Sequence, residues 1–264
     1  MVWIRSLSAD VVRFVYSIMI ELDKALNTVL NSARPLDGER IEMSRSLHRV
    51  LAENVCSDID MPPFDKSLVD GYACRRGDLD GALDVIETIQ AGALPTRAVS
   101  AGQCAKIMTG AAVPEGADCV IMIEDVEKIH ATAIRFTGEQ TRDNIAPKAQ
   151  DIRAGQVVLN KGDLIGPQHI AVLACVGCVK PLVAKKPKIA VVTGGDELVG
   201  PEVKPGPGQI RNSNSFQLKA QLEAMGLESR DYGTAKDVTI DVDRAITSAL
   251  ADSDVVLISG GVSV

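Results

Sequence analysis

The residues best suited to chemistry in this chain are carboxylates and hydroxyls set beside glycine. The stretch FDKSLVDGYA places Asp65, Lys66, Ser67 and Asp70 within six positions. KIMTG presents Thr109 and Gly110, TGGDEL presents Thr193, Gly194, Gly195, Asp196 and Glu197, and LISGGVSV presents Ser259, Gly260, Gly261 and Ser263. Small residues let backbone N–H groups come close to a phosphate or another oxyanion. Carboxylates beside such a loop suit Mg²⁺, which bridges two negative partners. Each stretch also has an ordinary reading. Asp70-Gly71 can be a turn capped by its own side chain, and Thr109-Gly110 can be a hairpin bend. Alone, none of them specifies a site.

The elements that must position these residues follow from the pattern. KIAVVTG is a continuous apolar run, as in a strand buried on both faces. NSFQLKAQLEAMG predicts a helix, with Asn212 to Asn214 offering caps and Gly226 the stop. LESRDYG predicts a second strand. TIDVDRAITSALADS predicts a second helix with Ile240, Val242, Ala245, Ile246 and Leu250 as its stripe, and DVVLIS predicts a third strand. This β-α-β-α-β alternation implies a parallel sheet with right-handed crossovers. Ligands of such sheets sit at the carboxyl ends of the strands, where TGGDEL and SGGVSV fall. A three-stranded sheet ending at Ile258 would leave an open edge and an uncovered apolar face, so self-association is expected.

Upstream, IELDKALNTVL predicts a helix with Leu22, Ala25, Leu26, Val29 and Leu30 on one face. Residues 40–55 read as a second helix leading to an extended stretch. MPPFDKSLVDGY reads as a loop. Residues 72–138 carry short β-like runs broken by Gly, Pro and Asp, as in a small β domain. LIGPQHIAVLACVG predicts a short helix opening at Pro167, where the missing N–H costs nothing.

Composition narrows the class. The 264 residues are 46% hydrophobic and only 3% aromatic, so two domains can be built on aliphatic cores. A net charge of -7 argues against a nucleic-acid binder but permits a locally anionic ligand. Reduced thiols suit the six cysteines of a chain this long, and the single CxxC pair, Cys175 and Cys178, is weak support for zinc. The first 20 residues hold Arg5, Asp10 and Arg13, which break any membrane span. They predict an extra helix or a disordered lead-in to a cytoplasmic protein that binds no membrane.

Taken together, FDKSLVDGYA, IMTGAAVPEGADCVIMIE, GDEL…GPGQIRNSNS and DVVLISGGVSV occur in an order and at separations that resemble one family. It is the molybdopterin molybdenumtransferases of the MoeA type, related to the E domain of gephyrin. The resemblance runs from about Ile20 to Val264. It implies a multidomain α/β fold, with a small β domain (62–138) inserted in an elongated linking domain (18–61 and 139–184). The first half of a three-layer αβα molybdopterin-binding domain with a parallel sheet (185–264) would follow, and 1–17 would be an extension. It implies insertion of molybdate into adenylylated molybdopterin with release of AMP, aided by Mg²⁺, in a homodimer whose site lies between subunits. Contact with the molybdopterin adenylyltransferase is a further expected partnership. Positions matching the family's catalytic residues are Asp70, Thr109, Asp151 and Glu197, with Asp70 and Glu197 as metal ligands. Those matching its binding residues are Ser67, Gly110, Thr193, Gly195, Asp196, Ser259, Gly260, Gly261 and Ser263.

Some positions depart from the family pattern. Lys148 is the only base beside Asp151, where a basic cluster is usual, and Lys66 stands where Asn is usual. The strand loop reads Thr193-Gly194-Gly195 instead of Ser-Thr-Gly. The family's fold continues after GGVSVG, so this chain reads as truncated. A second reading is therefore kept, a non-catalytic molybdopterin-binding or scaffold module that retains the fold. An unrelated α/β phosphate-binding protein is a third.

Overall fold

The computed structural model describes residues 2–4 and 20–260. They fall into two compact units, one made of Met1–Glu53, Lys161–Ile170 and Lys180–Val264, the other of Asn54–Asn160 and Ala171–Val179. The main elements in chain order begin with β1 (Val2–Ile4), α1 (Leu22–Ser32), β2 (Gly71–Cys74), β3 (Ala82–Ile89), β4 (Gln103–Ile107), β5 (Cys119–Met122), β6 (Val126–His130) and β7 (Ala133–Phe136). They continue with α2 (Pro167–Cys175), β8 (Ile189–Gly194), α3 (Asn214–Ala224), β9 (Ser229–Ala235), α4 (Thr239–Asp252) and β10 (Val255–Ser259).

The Asn54–Asn160 unit is built on a six-stranded sheet of order β5-β2-β4-β3-β7-β6. Its pairs are antiparallel except β3 with β4. All four residues of β2 are buried, so both sheet faces carry core. Tyr72 and Cys74 point to one face, packed with Leu83, Cys104, Cys119, Ile121 and Ile134. Ala73 points to the other, with Ile89, Ala105, Ile107 and Val120. Gly71 opens the strand for a steric reason: a Cβ there would lie well under 3 Å from the Ile121 carbonyl oxygen. Cys74 faces Cys104 on one neighbouring strand and Cys119 on the other. The Cys74 and Cys119 sulfurs meet at 3.7 Å.

The second unit carries a sheet of order β1-β10-β8-β9. The central strand β8 runs parallel to both β9 and β10. Its residues alternate between two cores. Ile189 and Val191 pack with Leu222 and Leu218 of α3. Ala190 and Val192 pack with Ala249, Ala245 and Leu250 of α4. The helices thus cover opposite faces, as an αβα layer requires. Helix α3 ends as its sequence predicts, with Gly226 at φ 72 and the Leu227 N–H donating to Leu222 O at 2.9 Å. Helix α2 opens at Pro167.

Several expectations are corrected. The sheet edge at β10 is not open, because Val2–Ile4 pairs antiparallel with Val255–Leu257. Helices α3 and α4 cover both faces of the sheet. The opening residues hold a strand instead of a helix, and residues 5–19 lie outside those described. Residues 40–55 hold no α-helix. A short 3-10 turn at Met43–Arg45 ends where the Ser46 hydroxyl donates to Met43 O, and His48 takes φ 61. Leu51 then bridges to Val183. Ile240, expected in the α4 stripe, is 64% exposed. Residues 18–61 and 139–184, expected as a linking domain, contribute to both compact units. Gly38–Arg40 pairs with Leu182–Ala184 in one, and Val55–Cys56 pairs with Val157–Leu159 in the other.

The cysteines divide by environment. Cys175 closes α2, and Cys178 follows, its N–H donating to Leu173 O. The contact with Cys119 and then burial push the Cys74 thiol up, and burial pushes Cys104 up to about 12. In native protein a thiol-specific alkylating reagent is expected to modify the exposed Cys56 and Cys175. It should reach Cys74, Cys104 and Cys119 only after denaturation. Peptide mass mapping of the adducts reads this directly.

Candidate functional site

In the Asn54–Asn160 unit, the loop before β2 is fixed by its own backbone. Lys66–Ser67 pairs with Ile145–Ala146. The Ser67 N–H donates to Ala111 O, and the Gly110 N–H donates back to Ser67 O at 2.8 Å. This ladder brings Asp70 and Thr109 together. Asp70 Oδ1 accepts from both the Thr109 N–H and its hydroxyl, each at 2.7 Å. The backbone bond first, then the hydroxyl, hold the Asp70 carboxyl below its ordinary value of 3.8. The result is a fixed, exposed carboxylate with one oxygen held by Thr109. Thr109 spends its proton on Asp70 and keeps its lone pairs.

The other expected residues of this unit stand differently. Ser67 is 1% exposed, and its hydroxyl donates to Val69 O, which shapes the loop. Asp151 is exposed, on a segment held by the Asp151 and Ile152 N–H groups donating to Met61 O. These bonds tie Asp151 to Met61, in the segment that leads to Asp65. Lys148 is committed elsewhere: its ammonium pairs with Asp60 at 3.3 Å and its N–H donates to Asp65.

In the other unit, the two strand-end loops meet. Gly260, at φ 100, lies so close to Gly194 that a Cβ would fall well under 3 Å from the Gly194 carbonyl oxygen. Only glycine fits there. The Glu197 carboxylate folds back over Gly195, 2.6 Å from where a Cβ would stand. Asp196 and Glu197 are exposed beside this junction. Thr193 is 1% exposed, and its hydroxyl bonds inside the protein to Asn212, Gly233 and Thr234. Ser259 Oγ accepts from Asn214 Nδ2 at 2.8 Å. Gly261 and Ser263 lie outside the described residues.

Sequence reasoning missed Asp237. Its carboxylate accepts from the Asp196 N–H at 3.4 Å, while its own N–H donates to Asp196 at 3.3 Å. The pair ties the loop after β9 to the loop after β8. The signal available was an Asp four residues beyond the predicted strand LESRDYG, in TAKDV. A cleft of about 360 Å³ lies beside these loops, lined by Val199, Glu202, Asn212, Ser215, Asp231 and Thr234. Among the described residues, no three His, Cys, Asp or Glu side chains converge on a metal-sized position. Mg²⁺ does not need such a cage, since it keeps several waters and takes one or two carboxylates plus phosphate oxygens. Asp196 and Glu197 in one unit, and separately Asp70 in the other, are exposed oxygen donors of that kind.

A largely parallel αβα sheet with glycine loops and carboxylates at its carboxyl edge is the architecture in which anionic ligands are commonly held. Comparison with known proteins narrows it. The family profile "MoeA N-terminal region (domain I and II)" matches residues 20–177, and the profile "Probable molybdopterin binding domain" matches residues 190–264. The chain belongs to the MoeA family. It is 35% identical over 252 residues to a molybdopterin molybdenumtransferase of Staphylococcus aureus, covering 93% of this chain and 60% of that protein. A Staphylococcus epidermidis protein of the same name is 34% identical over the same length. The chain thus spans 60% of the length of these curated relatives. Two crystal structures of molybdopterin biosynthesis moeA proteins superpose well. The one from Pyrococcus horikosii has TM-score 0.77, with 35% identity, 92% of this chain and 64% of that one. The one from Pyrococcus horikoshii OT3 has TM-score 0.82, with 33% identity, 91% of this chain and 66% of that one.

The Asp70–Thr109 pair has a pH signature. A carboxyl whose folded value is lowered stabilises the native state above the unfolded value, and that stability is lost as pH falls through the folded value. Thr109→Val keeps the N–H bond and removes the hydroxyl bond. The Asp70 carboxyl is expected to titrate at higher pH in this variant than in the parent chain. Side-chain ¹³C shifts followed through acid pH measure it, and an unchanged titration would show that the hydroxyl does not hold the charge.

Proposed function

We propose that this chain acts in molybdenum cofactor biosynthesis, binding adenylylated molybdopterin and promoting its reaction with molybdate, with AMP released. The observation that carries this reading is the contact of the two strand-end glycine loops, Gly260 on Gly194, flanked by Asp196, Glu197 and Asp237. Cleaving a phosphoric anhydride needs charge neutralisation and positioning more than a covalent nucleophile. Loop amides supply positioning. Mg²⁺ held by Glu197 or Asp70 would supply neutralisation of phosphate charge. Asp70, Thr109, Asp151 and Glu197 are assigned to catalysis, and Gly110, Gly195, Asp196, Ser259, Gly260, Gly261 and Ser263 to binding. Ser67 and Thr193, expected among the binders, are assigned to holding the loops.

The reading extends to a homodimer, to contact with the molybdopterin adenylyltransferase and to a cytoplasmic setting. Free thiols suit a reducing compartment, and no helix among the described residues is long and apolar enough to cross a membrane. Helix α1 supports the dimer. Leu22, Leu26 and Leu30, at successive i, i+4 spacing, are 81%, 53% and 60% exposed. Such a stripe calls for a covering surface.

A non-catalytic binding module is the second reading, favoured by the commitment of Lys148 to Asp60. Two measurements bear on these proposals. AMP release from adenylylated molybdopterin is expected to require both molybdate and Mg²⁺, and Glu197→Gln is expected to slow it about 100-fold. Binding by calorimetry without AMP release would select the module instead. In light scattering, Leu26→Glu is expected to convert a dimer to a monomer, and an unchanged mass would remove α1 from the interface.

A further inference from the structure

One residue holds both ends of the loop 194–198. Asn212 Nδ2 donates to Thr193 Oγ1 at 3.0 Å, directly before that loop. The Asn212 N–H donates to Val199 O at 2.9 Å, directly after it. Asn212 Oδ1 accepts from the Ser215 N–H at 3.2 Å, which ties the same residue to the first turn of α3.

The Thr193 hydroxyl is the fixed point of this arrangement. It has one proton and two lone pairs. Its three neighbours are Asn212 Nδ2, Thr234 Oγ1 at 3.0 Å and Gly233 O at 3.3 Å. Donation to Gly233 O and acceptance from Asn212 and Thr234 satisfy it completely, and at 1% exposure no water competes. Removing the Asn212 donor would leave a buried lone pair unmet, which costs more than the bond itself contributes. The loop so clamped carries Gly195, Asp196 and Glu197, and its Gly194 carbonyl is the surface on which Gly260 rests.

We propose that Asn212 is a positioning residue, which sets the conformation of the 194–198 loop through Thr193 and thereby the affinity of that loop for molybdopterin. The proposal rests on the functional reading above for the ligand, and on geometry alone for the loop. Asn212 does not touch substrate in this role.

Asn212→Asp separates positioning from helix capping. It keeps the acceptor for Ser215 and the backbone N–H, replaces the amide donor to Thr193 with an oxygen that cannot donate, and adds a negative charge. Hydrogen exchange, read without ligand, should quicken about fivefold to tenfold across 194–198 and stay unchanged in α3. In a Thr193→Val background the same substitution should quicken the loop much less than in the parent chain, because the bond is already absent. Molybdopterin affinity should fall by a similar factor in Thr193→Val, which removes the same bond without adding a charge. Loop exchange equal to the parent chain, or equal loosening of loop and α3, overturns the proposal. A quickened loop with unchanged affinity overturns the link to substrate. Failure of the parent chain itself to bind molybdopterin strikes the functional reading, while the exchange result still judges the clamp.

Discussion

The carboxyl edge of the αβα sheet depends on the pairing of β8 with parallel neighbours on both sides. That strand places five consecutive buried residues, Ile189 to Thr193, between two helix layers. Its register with β10 sets Thr193 opposite Ser259, which brings the two glycine loops to the same height. Its register with β9 sets Thr193 opposite Thr234 and Gly194 opposite Ala235, which brings Asp237 within reach of Asp196. A slip of one residue on either side would send alternate side chains to the wrong layer. The close approach of Gly260 to Gly194 and the clamp at Asn212 therefore follow from the ladder.

The second group of residues obeys a similar logic with different parts. In the six-stranded sheet, the turn after β4 presents Thr109 and the turn before β2 presents Asp70. The ladder between β2 and β4 puts them side by side. A carboxylate that accepts two donors on one oxygen has little freedom left, so its charge has a defined position. The two units thus solve one problem, presenting oxygen donors at a strand end, with a parallel and a largely antiparallel sheet.

The parallel sheet and its two helices were legible because their apolar periods are long and unbroken, as in KIAVVTG and TIDVDRAITSALADS. The glycine loops were legible because each glycine pair follows directly on a buried apolar strand, where the chain must turn sharply at the carboxyl edge. What escaped was non-local. Asp237 joins Asp196 only through the register of β9 with β8. The internal role of Thr193 depends on Asn212, which read as a helix cap. Residues 40–55 carry enough apolar positions for a helix, yet Leu51 is drawn into pairing with Val183, and tertiary pairing outweighed local propensity. The spare edge of β10 looked open because its neighbour, Val2–Ile4, is remote from it in sequence.

The way the two units share the chain bears on the order in which they can be made. The first unit draws on Met1–Glu53 and on residues beyond Lys180, and Gly38–Arg40 finds its partner only at Leu182–Ala184. The second unit is almost complete at Asn160. During synthesis, N-terminal segment first, residues 38–40 must wait through the making of the whole six-stranded sheet before their own strand can pair. Long-range closure of this kind is slow relative to local contacts. The inserted unit is therefore the one that can fold while the ribosome is still at work. The unit that bears the glycine loops assembles last, once the other has already formed.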